Sequence, residues 1–239
     1  VDAFRAEGAE VREVALVEKS HGPPPGSAPE DTGQGRWSWI GRVPGFVREL
    51  AEYGYTVPAS RRLARALVEF RPDFVYERYA FGNGAGVRTA PRHGVPLVLE
   101  VNSPMVQELS RTRGLTFARL ARRVENGIFR RADRIAVVTD VLREILVELG
   151  VERERVFVTP NGVHLEHFAH PDRDAARADL GVAHAEGPIF GFVGYYRDWH
   201  RLDLVIDALN TQELAAAHLV LVGAGPVEAD LRARCVSIR

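Results

Sequence analysis

Apolar residues follow two rhythms along this chain: short near-continuous runs, and stretches where they return every three or four positions. The runs at 11–17, 74–79, 96–101, 134–139, 155–159, 189–193 and 218–222 predict strands. Several are almost unbroken in Val, Ile, Leu and Phe, as strands covered on both faces require. The slower rhythm predicts helices over 61–70, 115–131, 141–149, 202–209 and 227–234. Strand and helix alternate, which implies parallel sheets joined by right-handed crossovers, an α/β fold. Ligands of such sheets bind outside the carboxyl ends of the strands, so candidate chemistry is sought there. The first residues, Asp2 to Glu7, read as the end of a helix stopped by Gly8 rather than as a basic, then apolar, leader.

Two stretches break the rhythm. Residues 18–41 hold Pro23-Pro24-Pro25, several Gly and Ser, and Trp37 and Trp39; they are expected to form a loop, whose indoles could instead cover an acceptor. Residues 171–188 are polar and flanked by Pro and Gly, as in an interdomain linker, with a short helix over 174–180. The expected organisation is an N-terminal domain over 1–170, a linker over 171–188 and the start of a second domain over 189–239. About 50 residues follow the linker, where a doubly wound domain needs roughly 100, so the second domain is expected to be incomplete.

Composition narrows the class. Of 239 residues, 46% are apolar and 26% charged, with a formal net charge of −1. That fits a globular protein and gives no overall electrostatic pull toward nucleic acid. Cys235 is the sole cysteine, which excludes an internal disulfide and suits a reducing compartment. No apolar stretch reaches the ~20 residues a membrane helix needs.

Three strand ends carry candidate chemistry. The strand ending at Thr159-Pro160 is followed by Asn161-Gly162, which permit a tight turn with positive φ. Phe190-Gly191-Phe192-Val193-Gly194 is expected to end at Gly194, with a polar loop leading to the helix near Leu202. Val222-Gly223-Ala224-Gly225-Pro226 repeats the order strand, Gly turn, helix. Each of the last two places backbone N–H groups and a helix N-terminus at the carboxyl edge, where the helix dipole favours an anion. Arg197 and His200 add charge or hydrogen bonds suited to a diphosphate. A dinucleotide fingerprint is not completed, because Glu228 stands where its last Gly belongs.

Taken in order, these segments resemble the family 4 retaining glycosyltransferases of GT-B fold. The resemblance runs through Arg71-Pro72-Asp73-Phe74-Val75-Tyr76-Glu77-Arg78-Tyr79, Pro96-Leu97-Val98-Leu99-Glu100-Val101-Asn102 and Arg131-Ala132-Asp133-Arg134. It continues through Pro160-Asn161-Gly162-Val163, Gly191-Phe192-Val193-Gly194, Asp198-Trp199-His200 and Val222-Gly223-Ala224-Gly225-Pro226. It implies a Rossmann-like parallel-sheet N-terminal domain that holds the acceptor, and the incomplete start of a second such domain that holds a nucleotide sugar. It implies sugar transfer with retention, no metal or other cofactor, and positive side chains on the leaving diphosphate. Gly194, Arg197, His200, Gly223 and Gly225 are then the donor-diphosphate candidates. Tyr195 stands where an Arg is common, His200 where a Lys is common, and Arg201 where a Gly is common.

In the N-terminal domain Asn102 replaces a His that many relatives carry. Asn cannot serve as a general base but can hydrogen-bond a sugar hydroxyl. Asn102 and Glu100 are the catalytic candidates, Arg78, Tyr79 and Glu108 the acceptor-side candidates, and Asn161 and Gly162 the interdomain turn. The resemblance implies a first strand followed by a Gly-rich acceptor loop, both missing here, and donor-holding Glu residues beyond Arg239. The chain is therefore expected to be a fragment truncated at both ends and inactive by itself.

The expected function is hexosyl transfer in cell-envelope polysaccharide or glycolipid synthesis, in the cytoplasm, with a carbohydrate or lipid-linked acceptor. The Arg-rich stretch 111–134 reads as a solvated helix face and leaves open a peripheral contact with the inner membrane surface. A nucleotide-sugar epimerase on the same fold and a non-catalytic remnant also remain open. His164, His167 and His170 lack a zinc-site framework, and Asp172-Arg173-Asp174 reads as a helix cap rather than a metal site.

Overall fold

The computed structural model describes residues 2–15, 44–163, 165–169 and 171–236. The chain divides into two compact units, Val1–Gly162 and Val163–Arg239. The loop expected at 18–41, with Trp37 and Trp39, lies outside the described residues, as do His164, His170 and the side chain of His167.

In the first unit, helix α1 (Asp2–Ala6) is followed by Gly8 at a φ of 86°, a conformation that favours glycine. The strand expected at 11–17 is not formed over 11–15. There the Ala15 carbonyl accepts from Arg62 at 2.8 Å and Arg12 pairs with Glu69 at 2.6 Å, so helix side chains replace a neighbouring strand. Next come α2 (Gly45–Gly54), α3 (Thr56–Phe70), β1 (Val75–Arg78), α4 (Ala85–Thr89) and β2 (Leu97–Val101). The unit is completed by α5 (Met105–Thr112), α6 (Ala118–Arg131), β3 (Arg134–Val137), α7 (Asp140–Glu148) and β4 (Val156–Val158).

The four strands form one parallel sheet in the order β1-β2-β3-β4. Its core is Leu97, Leu99, Val101, Ile135 and Val137 packed with Phe129 of α6 and Leu146 of α7. Each such side chain contributes about 1.5–3 kcal/mol on leaving water. Asp133 stitches the sheet's start: it accepts the Leu97 N–H at 2.8 Å and returns its own N–H to the Leu97 carbonyl at 3.1 Å. The arginines of α6 (Arg119, Arg122, Arg123, Arg130 and Arg131) are exposed, while Ala121, Glu125, Ile128 and Phe129 turn inward.

Helix α2 was not among the expected helices, and polar contacts explain its position. Glu49, 2% exposed, accepts the Thr116 and Phe117 N–H groups at 2.5 and 3.0 Å, ahead of α6. Glu52 receives both terminal nitrogens of Arg113 at 2.9 and 2.7 Å. At the α2–α3 junction the Thr56 hydroxyl donates to the Gly82 carbonyl at 3.0 Å and accepts the Gly84 N–H at 3.2 Å.

The second unit contains α8 (Arg173–Asp179), β5 (Ile189–Tyr195), α9 (Leu202–Leu209), β6 (His218–Ala224) and α10 (Glu228–Val236). Asp172 caps α8, accepting the Ala175 N–H at 3.0 Å. Strands β5 and β6 pair in parallel, and Tyr196, Leu202, Ile206 and Leu231 form the core beneath them. Both strands run two residues past their expected ends, so Gly194 and Gly223 sit within the ladder, opposite each other, rather than in turns. Close backbone approach requires glycine at 223 and 225: a Cβ on Gly223 would collide with the Gly194 carbonyl oxygen, and one on Gly225 with the Tyr196 backbone.

Candidate functional site

Side-chain alternation along β1 and β2 sorts the candidates of the first unit. Tyr76 and Arg78 share one face of β1, and Val98 and Glu100 continue that face on β2, where Arg78 and Glu100 are register partners. Glu100 is the hub. Its Oε1 accepts Asn102 Nδ2 at 2.9 Å and lies 3.8 Å from Arg78 Nε, and its Oε2 accepts the Tyr76 hydroxyl at 2.9 Å. Burial and that hydrogen bond push the Tyr76 phenol up to about 12, so it remains a donor. Just beyond, Glu108 accepts the Ser103 hydroxyl at 2.9 Å. Tyr76 was not among the residues singled out from the sequence. Its position two residues before Arg78, on the same strand face, is the signal that identifies it.

Tyr79 takes the other face. It is buried, edge-on to Phe129 at 4.9 Å, and its hydroxyl donates to Glu125 at 3.0 Å, so it belongs to the core and not to the open carboxyl edge. Glu125 also accepts the Val106 N–H at 3.0 Å and the Met105 N–H, fixing the start of α5 just after Asn102. Burial raises both groups above their ordinary values. Glu77, also on this face, accepts Asn83 Nδ2 at 3.0 Å and rests on Gly86, where a Cβ would collide with its carboxylate.

The tight turn expected at Asn161-Gly162 is not adopted. Neither residue has positive φ; both are exposed in irregular chain after the Thr159 N–H closes the ladder on Val137 at 2.7 Å.

In the second unit, the loop after β5 gathers Arg197 and His200. The Arg197 guanidinium lies 4.7 Å from the Tyr195 ring centroid and 5.3 Å from that of Trp199. The His200 ring packs on Phe192 at 4.9 Å, and its Nδ1 accepts the Arg197 N–H at 3.3 Å. With Nδ1 occupied as an acceptor, Nε2 is the ring nitrogen left to donate to a ligand, the hydrogen-bonding role that the sequence allowed beside charge. Arg201 has a φ of 51°, the left-handed conformation that accounts for Gly being common there, and it forks onto Asp203 at 3.0 Å. Gly194, Gly223 and Gly225 lie at the strand ends beside this loop, where a side chain at position 223 or 225 would collide with backbone.

Parallel sheets with polar and cationic side chains at their carboxyl edges define an α/β protein of the nucleotide-binding type. The chain belongs to glycosyltransferase family 4: the family model, Glycosyltransferase Family 4, matches residues 1–167. It is 32% identical over 184 residues to a D-inositol 3-phosphate glycosyltransferase of Nocardia farcinica, covering 74% of this chain and 40% of that protein. It is 34% identical over 140 residues to the protein of the same name in Kineococcus radiotolerans, covering 57% of this chain and 32% of that one. The chain thus spans about two fifths or less of the length of these curated relatives. Among solved structures, Anabaena HepE in complex with UDP aligns with a TM-score of 0.61 at 20% identity, over 76% of this chain and 49% of that one. Sucrose-phosphate synthase from Thermosynechococcus elongatus aligns at 0.54 and 18% identity, over 76% and 45%. These two likenesses show the fold.

Proposed function

We propose that this chain is the acceptor-side domain and the opening of the donor-side domain of a retaining glycosyltransferase. The enzyme moves a hexosyl group from a nucleotide diphosphate sugar to a hydroxyl of a carbohydrate or lipid-linked acceptor. The observation that carries the proposal is the family 4 match over residues 1–167. The names of the relatives support a hydroxyl-bearing acceptor, and the UDP and UDP-glucose held by the solved HepE complexes support a nucleotide-sugar donor.

The residues divide the work by their chemistry. As the glycosidic bond to the diphosphate breaks, negative charge grows on the leaving oxygens; Arg197 neutralises it and His200 donates Nε2–H to it, so no metal is required. Gly194, Gly223 and Gly225 keep the backbone low at the strand ends, which lets the diphosphate approach. Glu100 and Asn102 orient the attacking hydroxyl, with Asn102 as a hydrogen-bonding group rather than a base. Arg78 and Glu108 flank the acceptor. Synthesis of a cell-envelope glycan in the cytoplasm, at or near the inner membrane face, belongs to the same proposal. Among the described residues no helix is long and apolar enough to cross a membrane.

The test measures nucleoside diphosphate release from a panel of nucleotide sugars, on this chain and on a longer form carrying a whole donor-side domain. Release by the longer form, lost in Arg197→Ala, supports the proposal. In binding, Arg197→Ala removes a charge-assisted contact of about 1.5–3 kcal/mol, roughly a 10- to 100-fold loss of affinity. No release by either form with any donor refutes the enzyme and favours a non-catalytic remnant.

A further inference from the structure

Two large aromatic side chains beside Arg197 stand outside the unit's apolar core. Trp199 is 56% exposed and Tyr195 57%, and neither belongs to the unit's core of Tyr196, Leu202, Ile206 and Leu231. A tryptophan is ordinarily far more buried than this. Both rings hold the same cation, which the negative potential of an aromatic face attracts. Their frame is fixed. Asp198–His200 forms a single tight turn closed by the His200 N–H on the Arg197 carbonyl at 3.0 Å. His200 packs between Phe192 and the Trp199 indole, whose centroid lies 6.0 Å away at 69°.

We propose that Trp199, with Tyr195 beside it, is a stacking platform for a pyranose ring, making Trp199 a specificity-determining residue. The inference rests on the reading of Arg197 and His200 as diphosphate ligands. A pyranose carries hydroxyls around its rim and C–H bonds on its faces. The negative face of an indole attracts those C–H groups as it attracts the edge of another ring. A guanidinium between two aromatic rings recognises phosphate and a sugar face side by side, and a sugar diphosphate presents both. A sugar ring on the acceptor offers the same C–H face, so the two sources must be separated by experiment.

The test uses the chain with Trp37→Phe and Trp39→Phe, which leaves Trp199 as the sole indole of the three. Indole fluorescence and calorimetry follow titration with UDP-glucose and GDP-mannose, with UDP and GDP as their sugar-free partners, and with maltose. A nucleotide sugar is expected to perturb Trp199 emission beyond its nucleotide. Trp199→Ala is expected to weaken the nucleotide sugar about two- to tenfold more than it weakens the sugar-free nucleotide. Trp199→Phe keeps an aromatic face, so it is expected to retain most of the affinity and to show that the loop survives substitution. Maltose binding measured by calorimetry and lost in Trp199→Ala assigns the ring to the acceptor instead. If nucleotides bind but no sugar-bearing ligand depends on Trp199, the platform is overturned and the diphosphate reading stands. If no nucleotide binds, the diphosphate reading fails, and the platform fails with it unless maltose binds through Trp199.

Discussion

Replacing Glu77 by Gln is expected to leave stability unchanged near pH 4 and to raise it at neutral pH and above. The carboxyl sits on the core side of β1, against Gly86 and accepting from Asn83 at 3.0 Å. Burial pushes it from an ordinary 4.5 up to about 7, although the Asn83 and Gly86 donors pull the other way. Above pH 4.5 the unfolded chain gives up this proton while the folded chain keeps it. The unfolded state then binds fewer protons, so stability falls as pH rises and the loss is complete a little above 7. At 1.36 kcal/mol per pH unit the full loss is about 3 kcal/mol. Gln has no proton to lose, so the variant's advantage should grow from near zero at pH 4 to about 3 kcal/mol at pH 8. Equilibrium urea unfolding of both proteins, followed by circular dichroism at several pH values, measures that difference and cancels carboxylates common to both. A flat difference, or a parent that gains on the variant as pH rises, would mean that the two donors outweigh burial, and the account of Glu77 would be wrong.

Two further substitutions probe the frame around the candidate sites. Glu125→Ala leaves the Tyr79 hydroxyl and the Met105 and Val106 N–H groups without an acceptor in a buried place and is expected to cost about 3 kcal/mol in urea unfolding. Tyr79→Phe removes one donor only and is expected to cost about 1 kcal/mol; equal costs would show that Glu125 does not organise the start of α5. Gly223→Ala drives a methyl into the Gly194 carbonyl and is expected to cost about 1–3 kcal/mol and to speed amide exchange along β5 and β6. Unchanged exchange would show that the strands can part without penalty.

The parallel strands were legible because burial on both faces leaves unbroken apolar runs: 96–101 contains β2 and 134–139 contains β3, each within a residue or two. Helix α9 was read to the residue. Helices α2, α4 and α5 were not: α4 has only five residues, and α2 turns Glu49 inward while Phe46, Val47 and Leu50 stay exposed, so polar contacts fix its place. The apparent strand over 11–15 has Val11 and Val14 at the right spacing but no partner, and pairing is a tertiary fact. Among the site candidates, the cluster of Arg78, Glu100 and Asn102 followed from their place at adjacent strand ends. Tyr79 falls in the core because a strand end has two faces: the alternation that turns Glu77 inward also buries Tyr79. The glycines at 194 and 223 were read as turn residues because sequence shows where a side chain is missing but not which neighbour requires the space.

The short elbow between α2 and α3 grips two segments far apart in the chain: Thr56 holds Gly82 and Gly84 behind β1, while Glu49 and Glu52 hold residues 113–117 ahead of α6. A change within either segment alters local shape, but a change at the elbow re-aims both together. Substitutions at positions 49, 52 and 56 would therefore shift both segments in concert, whereas substitutions inside either segment would act on that segment alone.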